Sequence, residues 1–239
     1  MRKNNVIAII PARGGSKTIP RKNLRLLNGR PLIYYTIESA KKSKKLDGIY
    51  VSTDDKDIAK IAKENGVKVI NRPEKYAQDD TLDLPVFKHA IEYLKGSGVI
   101  VDVIVNLRPT APLRSIDDID NAIQMLIDES ADSIRSVNLV SEHPYWMFNL
   151  DKKNRLIPFN TKNSIKKYPR RQLLPNLFII NGNIDVMRSD NIINGELYGK
   201  NILGLETEEK NSVDIDTELD FKLAEVLINE KDSRYKDTD

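Results

Sequence analysis

Short unbroken apolar runs along this chain alternate with stretches in which apolar residues recur every three or four positions. Val6-Ile7-Ala8-Ile9-Ile10 is continuous, the pattern of a strand buried on both faces. Pro11 ends the run, and a polar loop follows to Asn23. Asn28-Gly29 marks a turn, and Pro31 suits the first turn of a helix with Leu32, Ile33, Ile37 and Ala40 on one face. Gly48 to Ser52 predicts a second strand. Ile58, Ile61 and Ala62 stripe the helix after Thr53, Gly66 stops it, and Val67 to Ile70 predicts a third strand. Leu84 to Lys95 reads as a helix stopped by Gly96, and Val103 to Leu107 as another buried strand. Ile116 to Ile127 reads as a helix with Ile119, Ala122, Ile123, Leu126 and Ile127 inward, and Ser133 to Leu139 as a strand. Strands alternating with helices predict an α/β fold, a mostly parallel sheet with helices on both faces.

The rhythm breaks from Val140 to Pro175, a stretch rich in Pro, Asn, Lys and aromatics that includes His143-Pro144-Tyr145-Trp146-Met147-Phe148. Irregular segments of this length are usually functional or lie at interfaces. It reads either as an ordered cap on the core or as a dimerisation arm inserted at 140–175 in a single 1–239 domain. Leu177 to Met187 predicts sheet again, and Thr217 to Asn229 a helix. The charged tail Glu230 to Asp239 is expected to fray.

Composition narrows the function classes. The 239 residues carry 38 Lys and Arg against 35 Asp and Glu, a net charge of +3 with the signs interspersed. That gives no argument for a nucleic-acid partner. A 40% hydrophobic share describes a folded globular chain. The absence of Cys excludes disulfides, thiolate metal sites and a Cys nucleophile, and the only histidines, His89 and His143, leave no His-rich metal site. No stretch approaches the roughly 20 apolar residues of a membrane helix, and the first apolar run is too short for a signal-peptide core. A cytoplasmic protein without a membrane partner is expected.

In open parallel sheets, ligands bind beyond the carboxyl ends of the strands. After the first strand comes Pro11-Ala12-Arg13-Gly14-Gly15-Ser16-Lys17-Thr18-Ile19-Pro20-Arg21-Lys22-Asn23. Adjacent glycines permit a tight turn with inward N–H groups, and clustered cations suit a polyphosphate. The loop lacks the Gly-Lys-Ser/Thr ending of a Walker A motif and is not G-x-G-x-x-G. A solvated basic loop is the plainer alternative. After the second strand, Ser52-Thr53-Asp54-Asp55 could hold a cation or cap the next helix. Arg108-Pro109-Thr110-Ala111-Pro112-Leu113-Arg114 follows a later strand, stiffened by its prolines, with both arginines available to clamp phosphate or carboxylate. In Asp214-Ile215-Asp216-Thr217-Glu218, carboxylates at i and i+2 share one side of an extended segment and could meet one divalent ion. Helix capping by Asp216 or Thr217 is the competing reading.

Together these segments resemble the acylneuraminate cytidylyltransferase family, which makes CMP-sialic acid and related CMP-nonulosonic acids. The resemblance rests on Ala12 to Lys17 with Pro20-Arg21-Lys22-Asn23, Val51-Ser52-Thr53-Asp54, Asn71-Arg72-Pro73 and Ala77-Gln78-Asp79-Asp80-Thr81. It continues through Leu107 to Arg114, Arg171-Gln172, Asn181-Gly182 and Asp214 to Asp220. It implies a Rossmann-like fold of nucleotidyltransferase type. The implied reaction transfers CMP from CTP to the anomeric hydroxyl of a nonulosonic acid and releases pyrophosphate. By resemblance, Arg13, Gly14, Ser16, Lys22 and Asn23 hold the triphosphate, and Arg72, Asp79, Asp80 and Thr81 belong to the nucleotide pocket. Asp214 and Asp216 hold Mg2+, with Arg13 and Lys22 beside them as catalytic residues. Arg108, Thr110, Arg171, Gln172 and Asn181 fall on the sugar side, and the arm makes a homodimer.

Three positions depart from the family pattern: Thr18 where Gly is frequent, Arg108 where sialic acid enzymes carry Gln, and Asp185 where an aromatic is common. They point toward a diamino relative of sialic acid, such as legionaminic acid, as readily as to sialic acid. The alternatives are a CMP-Kdo-type cytidylyltransferase and a non-catalytic nucleotide-binding protein of the same fold.

Overall fold

The computed structural model describes residues 3–236, with 231–236 as helical backbone. Its strands are β1 (Val6–Pro11), β2 (Leu26–Leu27), β3 (Arg30–Pro31), β4 (Gly48–Thr53), β5 (Lys68–Asn71), β6 (Val103–Asn106), β7 (Ser133–Leu139), β8 (Phe148–Leu150), β9 (Leu156–Pro158), β10 (Phe178–Arg188) and β11 (Ile202–Glu206). The helices are α1 (Leu32–Lys42), α2 (Lys56–Glu64), α3 (Asp83–Gly96), α4 (Ile116–Asp128), α5 (Ser189–Ile193) and α6 (Glu218–Lys236). Seven strands form the main sheet in the order β11-β7-β10-β6-β1-β4-β5. β10 runs antiparallel to β6 and β7, and the other pairings are parallel.

The continuous apolar run of β1 follows from its position. Val6, Ala8 and Ile10 face a core built with Ile33, Ile37, Ile58, Ile119 and Ile123 from α1, α2 and α4. Ile7 and Ile9 face the opposite core, with Phe87, Ile91 and Leu94 of α3. A third cluster, Ile19, Leu27, Leu32, Leu113, Ile215 and Phe221, lies under α6 and the β2–β3 hairpin. Asn28 and Gly29 both take positive φ, 45° and 76°, as a two-residue type I′ hairpin turn requires.

Several sequence expectations shift. The α3 helix runs through Gly96, and Gly98 takes the left-handed φ of 78° that ends it. Ile127 is partly exposed, so the inward stripe of α4 ends at Leu126. α6 extends to Lys236 instead of fraying after Asn229, and the remaining tail lies outside the described residues. α5, β11 and the β8–β9 hairpin were not anticipated. Within 140–177, Val140 N donates to the Leu177 carbonyl at 2.9 Å and Trp146 Nε1 to the Tyr168 carbonyl at 2.8 Å. The segment therefore closes at its base and folds back on itself.

The amino end of β1 needs partners for its first N–H groups, and distant carboxylates provide them. Val6 N donates to Asp47 Oδ2 at 2.9 Å and Asn5 N to Asp102 Oδ2 at 2.7 Å. The Lys3 ammonium and then the Val6 amide hold the Asp47 carboxyl below its ordinary pKa. A depressed carboxylate contributes stability above its unfolded pKa and loses it as pH falls through the folded value. Asp47→Ala is expected to cost about 1 kcal/mol at pH 7. In urea titrations the gap between variant and wild type should narrow below about pH 4; a gap that does not depend on pH would contradict this.

Candidate active site

The carboxyl ends of β1, β5 and β6 open into a cleft of about 410 Å³. The chain moves from β1 outward through β4 and β5, then returns to lay β6 on the other side of β1. The cleft thus lies where the strand order reverses, the place this architecture favours for ligands. Five cations line it, Arg13, Lys17, Lys22, Arg72 and Arg108, with four carboxylates, Asp79, Asp83, Asp214 and Asp216. Ser16, Asn23, Thr81 and Thr110 also line it.

Most of these cations rest on a carboxylate of the same cleft. Arg13 Nη1 lies 2.8 Å from Asp79 Oδ1 and Lys17 Nζ 2.6 Å from Asp79 Oδ2. Arg108 Nη2 lies 2.7 Å from Asp83 Oδ2. Lys22 is buried, and its ammonium donates to the Ile215 carbonyl at 2.6 Å and to Asp216 Oδ1 at 3.0 Å. Arg72 is buried too, donating to Ser52 Oγ at 3.1 Å and to the Ser52 carbonyl at 2.6 Å. Burial pushes its pKa down to about 10, so it stays a cation at neutral pH. At Arg108 burial works against the charge, but Asp83, Asp185 and Asp214 more than offset it and raise the pKa.

The competing capping roles resolve residue by residue. Asp55 Oδ1 accepts from Asp57 N and Ile58 N and so caps α2, whereas Asp54 Oδ1 accepts from Gly14 N at 3.1 Å. At α6, Asp220 Oδ2 accepts from Thr217 N at 2.7 Å and Thr217 Oγ1 from Asp220 N at 3.3 Å, a reciprocal box. The cap of α6 therefore does not use the side chains of Asp214 or Asp216. Ile215 is fully buried in the third cluster, which turns its neighbours Asp214 and Asp216 together toward the cleft. The Ile215 N donation to the Thr110 carbonyl at 2.8 Å fixes that segment against the loop after β6.

Arg114 corrects the expectation of a second clamping arginine. It is buried and donates to the Asn183 carbonyl at 2.8 Å, Thr36 Oγ1 at 3.2 Å and the Arg108 carbonyl at 2.9 Å. Its guanidinium holds the loop's backbone in place and is absent from the cleft lining. Asn23 likewise reaches back, donating to the Arg13 carbonyl at 3.0 Å.

Not every residue that the motifs single out lines the cleft. Gly14 and Asp80 do not. Arg171 borders a separate hollow within the 139–177 segment, and Gln172 is exposed beside it. Asn181 Oδ1 accepts from Ser136 Oγ at 2.6 Å and from Asn183 N at 3.0 Å, while its amide donates to Asn138 and Thr207. Its side chain is engaged at the irregularity where β10 shifts register against β7. Conversely, Lys17, Tyr76, Gln78 and Asp83 line the cleft without having been singled out as site residues. Tyr76 and Gln78 follow the end of β5, so the strand-end rule would have located them.

A polar cleft of paired cations and carboxylates, at the switch point of this sheet, defines an α/β enzyme of nucleotidyltransferase type. Residues 7–231 match the model of the cytidylyltransferase family, and the chain belongs to that family. It is 32% identical to post-translational flagellin modification protein B of Campylobacter coli, covering 98% of this chain and 99% of that protein. It is also 32% identical to the CMP-N,N'-diacetyllegionaminic acid synthase of Legionella pneumophila, over 93% of this chain and 96% of that protein. N-acylneuraminate cytidylyltransferase A of Danio rerio is 31% identical over 94% of this chain, which spans 51% of that longer protein. Among solved structures, CMP:2-keto-3-deoxy-manno-octonic acid synthetase complexed with CTP superposes with a TM-score of 0.70. It covers 95% of this chain and all of that one at 20% identity, a likeness of fold.

The two loop glycines differ in a way the sequence does not reveal. Neither takes positive φ. A Cβ on Gly14 would lie 2.7 Å from Asp55 Oδ2 and 2.9 Å from Asp55 Cβ, whereas one on Gly15 meets nothing within 4 Å. Because Asp55 is tied to the amino end of α2, it cannot yield without weakening that cap. Gly14→Ala is expected to lower stability by about 1–2 kcal/mol, while Gly15→Ala leaves it within about 0.5 kcal/mol. Equal denaturation midpoints for the two variants would contradict this reading.

Proposed function

We propose that this cytidylyltransferase moves CMP from CTP to the anomeric hydroxyl of a nonulosonic acid and releases pyrophosphate. The observation that carries the reading is the convergence of Arg13, Ser16 and Lys22 with Asp214 and Asp216 in one cleft of a chain in this family. The relative named for N,N'-diacetyllegionaminic acid, matched over nearly its whole length, favours a diacetamido sugar. Transfer of this kind depends on positioning and charge neutralisation more than on covalent catalysis. Arg13 and Lys22 would hold the phosphates and offset the charge that grows on the leaving pyrophosphate. Arg72, immobilised against Ser52, would place the nucleotide beside Thr81. Arg108 and Thr110, on the far side of β1 from Arg72, would meet the sugar.

The donor set suits Mg2+. Among the described residues no group of three or more His, Cys, Asp or Glu side chains is gathered for a metal. Two carboxylates on one side of an extended segment, completed by phosphate oxygens and water, match the preference of that ion. When bound there, Mg2+ would supply further charge neutralisation at the phosphates. CTP is a cytoplasmic nucleotide, and we place the reaction in that compartment. Among the described residues no helix is long and apolar enough to cross a membrane.

The test is a pyrophosphate-release assay with CTP, Mg2+ and a panel of nonulosonic acids and Kdo. Wild type is expected to prefer a diacetamido nonulosonic acid, Asp216→Asn to lose on the order of 100-fold or more in kcat, and Arg108→Gln to shift kcat/KM toward N-acetylneuraminic acid. Turnover of Kdo alone, or a fully active Asp216→Asn variant, would overturn the reading.

We also read the 140–175 arm as a dimer element that carries Arg171 and Gln172 to the cleft of a second copy. Trp146 is half-buried and tied within the arm, whereas Leu150, Leu156 and Phe159 are each about two-thirds exposed at 66%, 64% and 65%. Leu150 and Leu156 are cross-strand partners in the β8–β9 hairpin, and adjacent exposed apolar side chains of this kind mark an association surface. Light scattering should give about twice the 27.2 kDa chain mass, and Leu156→Glu together with Phe159→Glu should halve it. A wild type that stays monomeric at micromolar concentration would leave the arm as a cap.

A further inference from the structure

We propose that Asp79 is an internal competitor of phosphate, occupying Arg13 and Lys17 in the free enzyme and returning to them as pyrophosphate departs. The inference rests on the phosphate-binding role proposed above for this loop. A single carboxylate gives one oxygen to each cation, Oδ1 to Arg13 Nη1 at 2.8 Å and Oδ2 to Lys17 Nζ at 2.6 Å. Two oxygens of one anion shared between two cations is the contact a phosphate group would make with them. The remaining cleft cations are held differently: Lys22 by Asp216 and the Ile215 carbonyl, Arg108 by Asp83, and Arg72 by Ser52.

The position of Asp79 allows it to leave. It follows the short turn Glu74–Tyr76 and precedes α3, in a segment without regular structure, and its side chain is about half exposed. Pairs this exposed are weak, so a polyphosphate of higher charge displaces the carboxylate. The same weakness gives the arrangement its use. Cations that grip CTP also grip pyrophosphate, and an enzyme that turns over must let the latter go. A tethered carboxylate lowers the affinity of the loop for every phosphate and neutralises the vacated cations, which shortens the residence of the product.

Asp79→Asn keeps the shape and removes the charge. The inhibition constant of inorganic pyrophosphate against CTP, measured with the full-length enzyme and Mg2+, is expected to fall about three- to tenfold. The Kd of CTP by calorimetry should fall in parallel, and the gap between variant and wild type should close as salt is raised. Glu74→Gln, an equal charge change in the same segment but off these cations, should alter neither. Unchanged or weaker pyrophosphate inhibition in Asp79→Asn would overturn the inference, as would an equal gain in Glu74→Gln. A wild type that binds neither CTP nor pyrophosphate would instead sink the functional reading beneath it.

Discussion

Like charges gathered at one edge of a sheet repel, and the cleft is organised around that repulsion. Five cations line one cleft, and the chain offsets them from its own residues. Asp79 answers both Arg13 and Lys17, Asp83 answers Arg108 and Asp216 answers Lys22, all at 3.0 Å or less. Arg72, the most enclosed of the five, is satisfied by a serine carbonyl and hydroxyl, and Asp54 and Asp83 supply more distant charge. The balance is nearly even, so the site is neither a fixed anion trap nor a patch that would attract every polyanion in its surroundings.

Rigidity beneath the cleft comes from groups that never face it. Arg114 spans three elements from below. Asp54 and Asp55 fix the loop after β1 and the neighbouring helix from adjacent positions, and the buried Ile215 orients the carboxylates on either side of it. In each case a backbone or a core contact decides where a charged side chain points, which pre-organises a polar site.

β1 and β6 were legible in the sequence because they are buried on both faces and are almost wholly apolar, whereas β10 beside them carries Asn181, Asn183 and Asp185. β11 was not legible, because its residues alternate between partly buried and exposed at the sheet edge, and α5 is too short for a periodic stripe. In the site, the loops after β1, β5 and β6 could be found from strand ends and motif order alone. What the sequence could not say was which polar groups are engaged internally. Arg108 and Arg114 look alike in one loop, yet one faces the cleft and the other is sealed beneath it. Asn181 looks available, yet its amide closes a local irregularity in β10. Arg171 and Gln172 look like site residues from motif order, yet neither lines the cleft, and Arg171 borders a separate hollow.

The bond from Lys22 Nζ to the Ile215 carbonyl joins positions 193 residues apart. During synthesis, β1, β4, β5 and β6 can pair and bury most of their apolar surface long before residue 215 leaves the ribosome. Until it does, Lys22 lacks both its acceptors, and the third apolar cluster lacks Ile215 and Phe221. A nascent or truncated chain can therefore hold a folded sheet and still have no assembled cleft.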